Sequence, residues 1–91
     1  DKVFGFNDTG SESQAEYVTT TVENLFLIPE KIDYKQAAAS LEGASYAYSF
    51  IHKVNIQSGQ NILIIGATGG IGSSLLQFVR QYDVKITATC N

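Results

Sequence analysis

Residues 61–91 read NILIIGATGGIGSSLLQFVRQYDVKITATCN, and the order of side chains in this stretch decides the fold. Asn61 to Ile65 place four apolar side chains in a five-residue run, which suits a strand of a parallel sheet covered on both faces. A glycine-rich turn follows directly. Gly66, Gly69, Gly70 and Gly72 lack the Cβ atoms that would hold a pyrophosphate away from the backbone, and they permit the positive φ that a tight strand-to-helix turn requires. A helix opening there aims its free N–H groups at an anion. Its apolar residues Ile71, Leu75, Phe78, Val79 and Tyr82 recur at spacings of one, three and four, and a second strand over Val84 to Thr89 completes a βαβ unit.

The turn is G-x-x-G-G-x-G from Gly66 to Gly72, so the usual G-x-G-x-x-G frame puts Ala67 where its first glycine belongs. The flanking strand and helix supply the context the motif needs. The bland alternative is a glycine-rich turn in an α/β protein that binds no nucleotide. A P-loop is excluded, because no Lys-Ser or Lys-Thr pair follows the glycines to reach a terminal phosphate. About 20 residues past the glycines, where an acid would bond a ribose 2′-hydroxyl, the sequence reads Thr89-Cys90-Asn91. An acid would repel a 2′-phosphate and these neutral residues would not, which leans toward NADPH over NADH. The candidate cofactor-binding set is Gly66, Thr68, Gly69, Gly70, Ile71, Gly72 and Asn91.

Bulk properties narrow the partners. The net charge is −3, and seven of the nine acids lie in the first 35 residues, which argues against nucleic acid and against an anionic membrane surface. No signal peptide and no bilayer-length apolar run is present, so the expected setting is cytoplasmic. Cys90 has no second cysteine to pair with and reads as a small strand residue; with His52 as the only histidine, these residues do not assemble a zinc site by themselves. A 91-residue chain with two parallel strands of its own leaves both faces and both edges of that sheet open. The expectation is therefore a piece of a longer protein whose folded form depends on neighbouring chains or further residues, with homo-oligomeric assembly covering the exposed sheet and a small-molecule substrate as the partner.

Ahead of the glycine turn, residues 2–6 (KVFGF) alternate as a short strand, and Asn7 to Gln14 form a polar loop turning at Asp8-Thr9-Gly10. β-Branched and aromatic content predicts further strands around Ala15 to Thr20 and Leu25 to Ile28, the latter closed by Pro29. Asp33 and Gln36 form a capping-box-like D-x-x-Q ahead of a helix-favouring alanine run. Gly43 marks a break or a site of close packing, and a second helix from about Ala44 carries Ala44, Ala47, Tyr48, Ile51 and Val54 on one stripe. Gln57 to Gln60 make the turn into the nucleotide-binding strand. His52 reads as a helix-surface residue near a C-terminus, where its charge is favourable, and not as a catalytic base.

In this order and spacing, four segments resemble the medium-chain dehydrogenase/reductase superfamily, in particular its quinone oxidoreductase-like, zeta-crystallin-like, zinc-independent branch. DKVFGF at 1–6 is similar to its G-D-x-V-x-x-F strand, AEYV at 15–18 to its A-E-Y-V strand, and NLFLIPEKIDYKQAAAS to its segment leading into the connecting helices. QSGQNILIIGATGGIGS resembles the branch's glycine turn, with the same alanine interrupting the frame. The resemblance covers the whole chain and implies an α/β fold. Residues 1–32 would be the end of a GroES-like β-rich catalytic domain, and residues 33–91 the connecting helices and the first βαβ unit of a Rossmann-type domain.

It also implies hydride transfer from NADPH, with NADH as the alternative, to a quinone, enone or related carbonyl acceptor, and no zinc. In zinc-bearing relatives the connecting segment carries a zinc-ligand Cys, and Glu42 falls at that position; a carboxylate can bind zinc, but the other ligands would come from residues upstream. Tyr46 falls where those relatives often have a Thr near the nicotinamide, although a Tyr on an apolar helix reads as packed core. Two other classes fit parts of the pattern. Gly66, Gly69 and Gly72 also match the G-x-x-G-x-x-G turn of a short-chain dehydrogenase or epimerase, which sits near that family's N-terminus, and a non-catalytic nucleotide-binding protein could use the same scaffold.

Overall fold

The computed structural model describes residues 1–7 and 13–90. The turn expected at Asp8-Thr9-Gly10 and the site residue Asn91 lie outside the described residues. The chain divides into two compact units, Asp1–Leu41 and Glu42–Asn91.

In the first unit, β1 (Val3–Gly5) pairs antiparallel with β2 (Leu25–Leu27), Phe4 standing opposite Phe26. The two rings meet at a centroid distance of 6.0 Å, the kind of cross-strand aromatic pair that fixes register. One more backbone bond, from Ile28 N–H to the Lys2 carbonyl at 2.9 Å, extends the ladder. A single 3₁₀ turn, Val22–Asn24, leads into β2. The strand predicted around Ala15 to Thr20 does not form: residues 17–20 are irregular, with Tyr17 91% exposed. β-Branched content alone does not make a strand where no neighbouring chain among the described residues supplies a ladder.

The two helices expected across 33–54 are one. α1 runs unbroken over Tyr34–Val54, 21 residues. Its start is the predicted reciprocal cap: Gln36 N–H donates to Asp33 Oδ1 at 2.7 Å and Asp33 N–H donates to Gln36 Oε1 at 3.1 Å. Gly43 does not end it, because one glycine costs a helix interior only about 1 kcal/mol, less than a continuous bonding ladder and a packed face return. Asn55 ends it instead, at φ 50 in the left-handed region that asparagine tolerates after a helix.

The second unit holds the βαβ element. β3 (Asn61–Ile65) and β4 (Lys85–Thr89) are parallel, in register from Asn61 opposite Lys85 to Ile65 opposite Thr89, and α2 (Gly70–Val79) connects them. Cys90 therefore lies one residue beyond the strand, exposed, and not within it. α2 stops at Val79, three residues short of Tyr82, where Gln81 and Tyr82 bond back to the carbonyls of Phe78 and Val79 in tight three-residue turns. The buried core joins Ile51 of α1, Ile64 of β3 and Val79 of α2, with Ile56, Ile62, Ala67, Leu75, Leu76, Phe78, Val84 and Ile86 packed around them. Both helices thus cover the same face of the strand pair. The other face, expected to be covered as well, is open among the described residues, with Leu63 59% and Ile65 78% exposed. No helix of the described residues is long and apolar enough to cross a membrane.

Candidate nucleotide site

The carboxyl ends of two parallel strands and the start of the helix between them meet at Gly66 to Gly72. Gly66 leaves β3 at φ +74, which an L side chain rarely adopts, and its carbonyl then accepts the Gly69 N–H at 3.0 Å to close the turn. The Ala67 N–H donates to the Thr89 carbonyl at 2.9 Å, tying the turn to the end of β4. That bond brings the glycine turn beside Thr89 and Cys90, the positions at which ribose discrimination was expected. Ligands of open parallel sheets bind outside these strand ends.

Among the glycines of the turn, Gly72 is held closest. A Cβ there would overlap the Gly66 carbonyl oxygen, so only glycine lets α2 start against the turn. The first α-helical bond runs from Ser73 N–H to the Gly69 carbonyl at 2.8 Å, and Gly69 caps the helix with no side-chain bond. The N–H groups of Gly70, Ile71 and Gly72 accordingly precede the helical ladder and carry the positive end of its dipole. Gly70 and Ile71 are exposed and Gly72 is buried, and nothing lies within 4 Å of where a Gly70 Cβ would stand. Of the sequence-derived set, the structure brings Gly66, Thr68, Gly69, Gly70, Ile71 and Gly72 into one turn with an exposed Thr68.

The far end of the unit is braced separately. Ser58 Oγ donates to Asp83 Oδ2 at 2.7 Å, Gly59 N–H to the Asp83 carbonyl at 2.7 Å, and Lys85 N–H to the Gln60 carbonyl at 3.0 Å. These bonds fix where β3 and β4 begin, and hence the register that aligns their carboxyl ends. Sequence reading did not single out the Ser58–Asp83 pair; its signal was a hydroxyl and an acid flanking the two strand starts.

The remaining candidates, Glu42, Tyr46 and His52, all lie on α1. Glu42 is exposed, and no group of three or more His, Cys, Asp or Glu residues among the described residues is arranged to hold a metal ion. Tyr46 is 42% exposed, so it is not the packed core residue its helix position suggested. His52 lies on the last turn of α1, exposed, with Nδ1 2.9 Å from the Tyr48 carbonyl and its ring 4.0 Å from the Tyr48 ring, as a surface reading requires. A cavity of about 250 Å³ is lined by Phe50, Val54, Ile62, Leu63, Ile65 and Leu75 among others, all apolar; no residue of the glycine turn lines it.

A strand, a glycine turn, a helix and a parallel strand of this geometry define a βαβ unit of an open α/β sheet. Comparison with known proteins takes the assignment further. The quinone oxidoreductase of Homo sapiens is 38% identical over 92 residues, 98% of this chain and 27% of the relative. The CurK enoyl reductase structure matches 81% of this chain and 23% of its own, at 31% identity and a TM-score of 0.76. The quinone oxidoreductase from Thermus thermophilus, solved also in complex with NADPH, shares the fold over 76% of this chain and 23% of its own, at 23% identity and a TM-score of 0.69. No family model matches the chain. The chain belongs to the medium-chain dehydrogenase/reductase superfamily, in its zeta-crystallin-like, quinone oxidoreductase-like part. It spans 27% of the length of the human relative.

Proposed function

We propose that the protein is an oxidoreductase that transfers a hydride from NADPH to a quinone, an enone or a related conjugated carbonyl compound, and that residues 66–72 hold the cofactor's pyrophosphate. The observation that carries this reading is the glycine turn itself. The N–H groups at Gly70, Ile71 and Gly72, which precede the helical ladder, form a small anion cradle, and a Cβ at Gly72 would displace the turn that builds it. When bound, the nicotinamide supplies the hydride. This segment's contribution is orientation: the helix N–H groups fix the phosphates, the Thr68 side chain stands at the mouth of the turn, and the neutral end of β4 leaves room for a 2′-phosphate. Asn91 is assigned to that ribose end.

The choice of acceptor rests on the relatives. One is named a quinone oxidoreductase and another an enoyl reductase. Both names describe substrates with a carbon–carbon double bond conjugated to a carbonyl. In the same reading, residues 1–32 close a GroES-like domain and 33–91 open the cofactor domain, the chemistry uses no zinc, Tyr46 neighbours the nicotinamide, and the protein works as a cytoplasmic homo-oligomer. The test is NADPH oxidation by the full-length protein with a benzoquinone or an α,β-unsaturated ketone, followed by loss of NADPH absorbance. Turnover with either acceptor supports the assignment. A protein that binds NADPH stoichiometrically but oxidises it with neither would be a nucleotide-binding scaffold without the chemistry.

A further inference from the structure

We propose that Gly43 is a positioning residue for the anion-binding end of α2, an inference that rests on the nucleotide reading above. Glycine weakens a helix interior, yet Gly43 sits ten residues into α1 and is half-buried. A Cβ built on it would stand 2.6 Å from the Gly70 carbonyl oxygen, 2.8 Å from the Gly70 carbonyl carbon and 3.3 Å from Ser74 Oγ. The backbone of α1 therefore rests directly on the first turn of α2, and any side chain at position 43 would push that turn away. The neighbour is backbone, so it cannot rotate aside as a flexible side chain would.

The atom it rests on matters. The Gly70 carbonyl and the Ile71 N–H belong to one planar peptide unit, so a push on the oxygen tilts the N–H with it. The same oxygen is held from its own helix by the hydroxyls of Ser73 and Ser74, which donate to it at 3.2 and 2.9 Å. Within the turn itself, Gly72 is pressed against the Gly66 carbonyl. The three donors at Gly70, Ile71 and Gly72 are thus wedged between two glycine contacts: one within the cofactor turn, the other supplied by a helix that makes no contact with an anion itself. Gly43 sets where those donors point.

The test measures dissociation constants for NADPH and for adenosine 2′-phosphate, which lacks the pyrophosphate, in the full-length protein and its Gly43→Ala variant. The expected result is a loss of about tenfold for NADPH and less than about twofold for adenosine 2′-phosphate, because a displacement of a fraction of an ångström acts only on the phosphate donors. Ile51→Val, which loosens the same helix at its core contact, is expected to leave the NADPH constant within about twofold. Should Gly43→Ala lose its cooperative unfolding transition, Ser74→Thr keeps the hydroxyl bonded to the Gly70 carbonyl and adds one methyl group at the same helix contact, and the same comparison decides. Equal losses for the two ligands, an undiminished NADPH affinity, or an Ile51→Val loss as large as that of Gly43→Ala would each overturn the role of Gly43. A wild-type protein that binds no NADPH would instead overturn the nucleotide reading, and this assignment with it.

Discussion

Replacing glycine by alanine in a helix normally stabilises it by about 0.8–1.0 kcal/mol, and the first turn of α2 offers two glycines at which opposite outcomes are expected. At Gly70 the new Cβ would meet nothing within 4 Å, and the residue is already helical. Gly70→Ala should therefore be neutral or stabilising, by up to about 1 kcal/mol, through the reduced freedom of the unfolded chain. At Gly72 the Cβ would overlap the Gly66 carbonyl oxygen and lie 2.9 Å from the Gly66 carbonyl carbon and 3.0 Å from the Ala67 Cα. All three atoms are backbone in a turn closed by the bond from Gly69 N–H to that same oxygen. Overpacking of this kind costs about 1–3 kcal/mol, and it must exceed the helix-propensity gain before it shows. The net expectation for Gly72→Ala is a loss of about 1–2 kcal/mol. Gly66→Ala loses a similar amount by another route, since the space is open but φ +74 strains an L residue by about 1–2 kcal/mol. Urea unfolding of the full-length protein and the three variants measures the differences. If Gly72→Ala proves as stable as Gly70→Ala, the close approach of α2 to the turn, and the cradle built on it, is wrong.

Other outcomes follow from the same geometry. Asp33→Ala removes the acceptor for the Gln36 N–H and should lower stability by about 1 kcal/mol in a thermal melt, with the Asp33→Ala/Gln36→Ala pair losing less than the sum because the two bonds form one reciprocal cap. Ile64→Ala opens a cavity where β3 meets both helices and should cost about 2–5 kcal/mol by denaturant unfolding. His52→Ala should leave the rate of NADPH oxidation within about twofold, because the imidazole is exposed and its ring nitrogen pairs with the Tyr48 carbonyl of its own helix; a large rate loss would make His52 a catalytic candidate.

Much of this was legible in the residues. The β3–turn–α2–β4 order, the cap at Asp33 and the short strands β1 and β2 follow from local signals: apolar runs, glycines at strand ends, an acid and an amide three residues apart. What was misread depended on partners that local pattern does not reveal. Ala15 to Thr20 has strand composition but no ladder among the described residues. Gly43 looked equally like a break or a packing site, and only the approach of the Gly70 carbonyl decides for packing. Tyr46 carried a core-like helix position, yet it stands 42% exposed. The glycine turn was readable because each of its requirements, positive φ at Gly66 and no Cβ at Gly72, is met by a single residue type. The proposed ribose end has no positive signal in the residues, only an absence of acid at Thr89 and Cys90.

The central claim is that residues 66–72 form the pyrophosphate cradle of an NADPH-dependent reductase. Calorimetric titration of the full-length protein with NADPH and with NADH tests it most directly. The account predicts stoichiometric binding of both, with NADPH the tighter, and loss of that binding in Gly72→Ala under conditions where the variant remains folded. Absence of binding by either nucleotide, or NADPH affinity unchanged by Gly72→Ala, would contradict it.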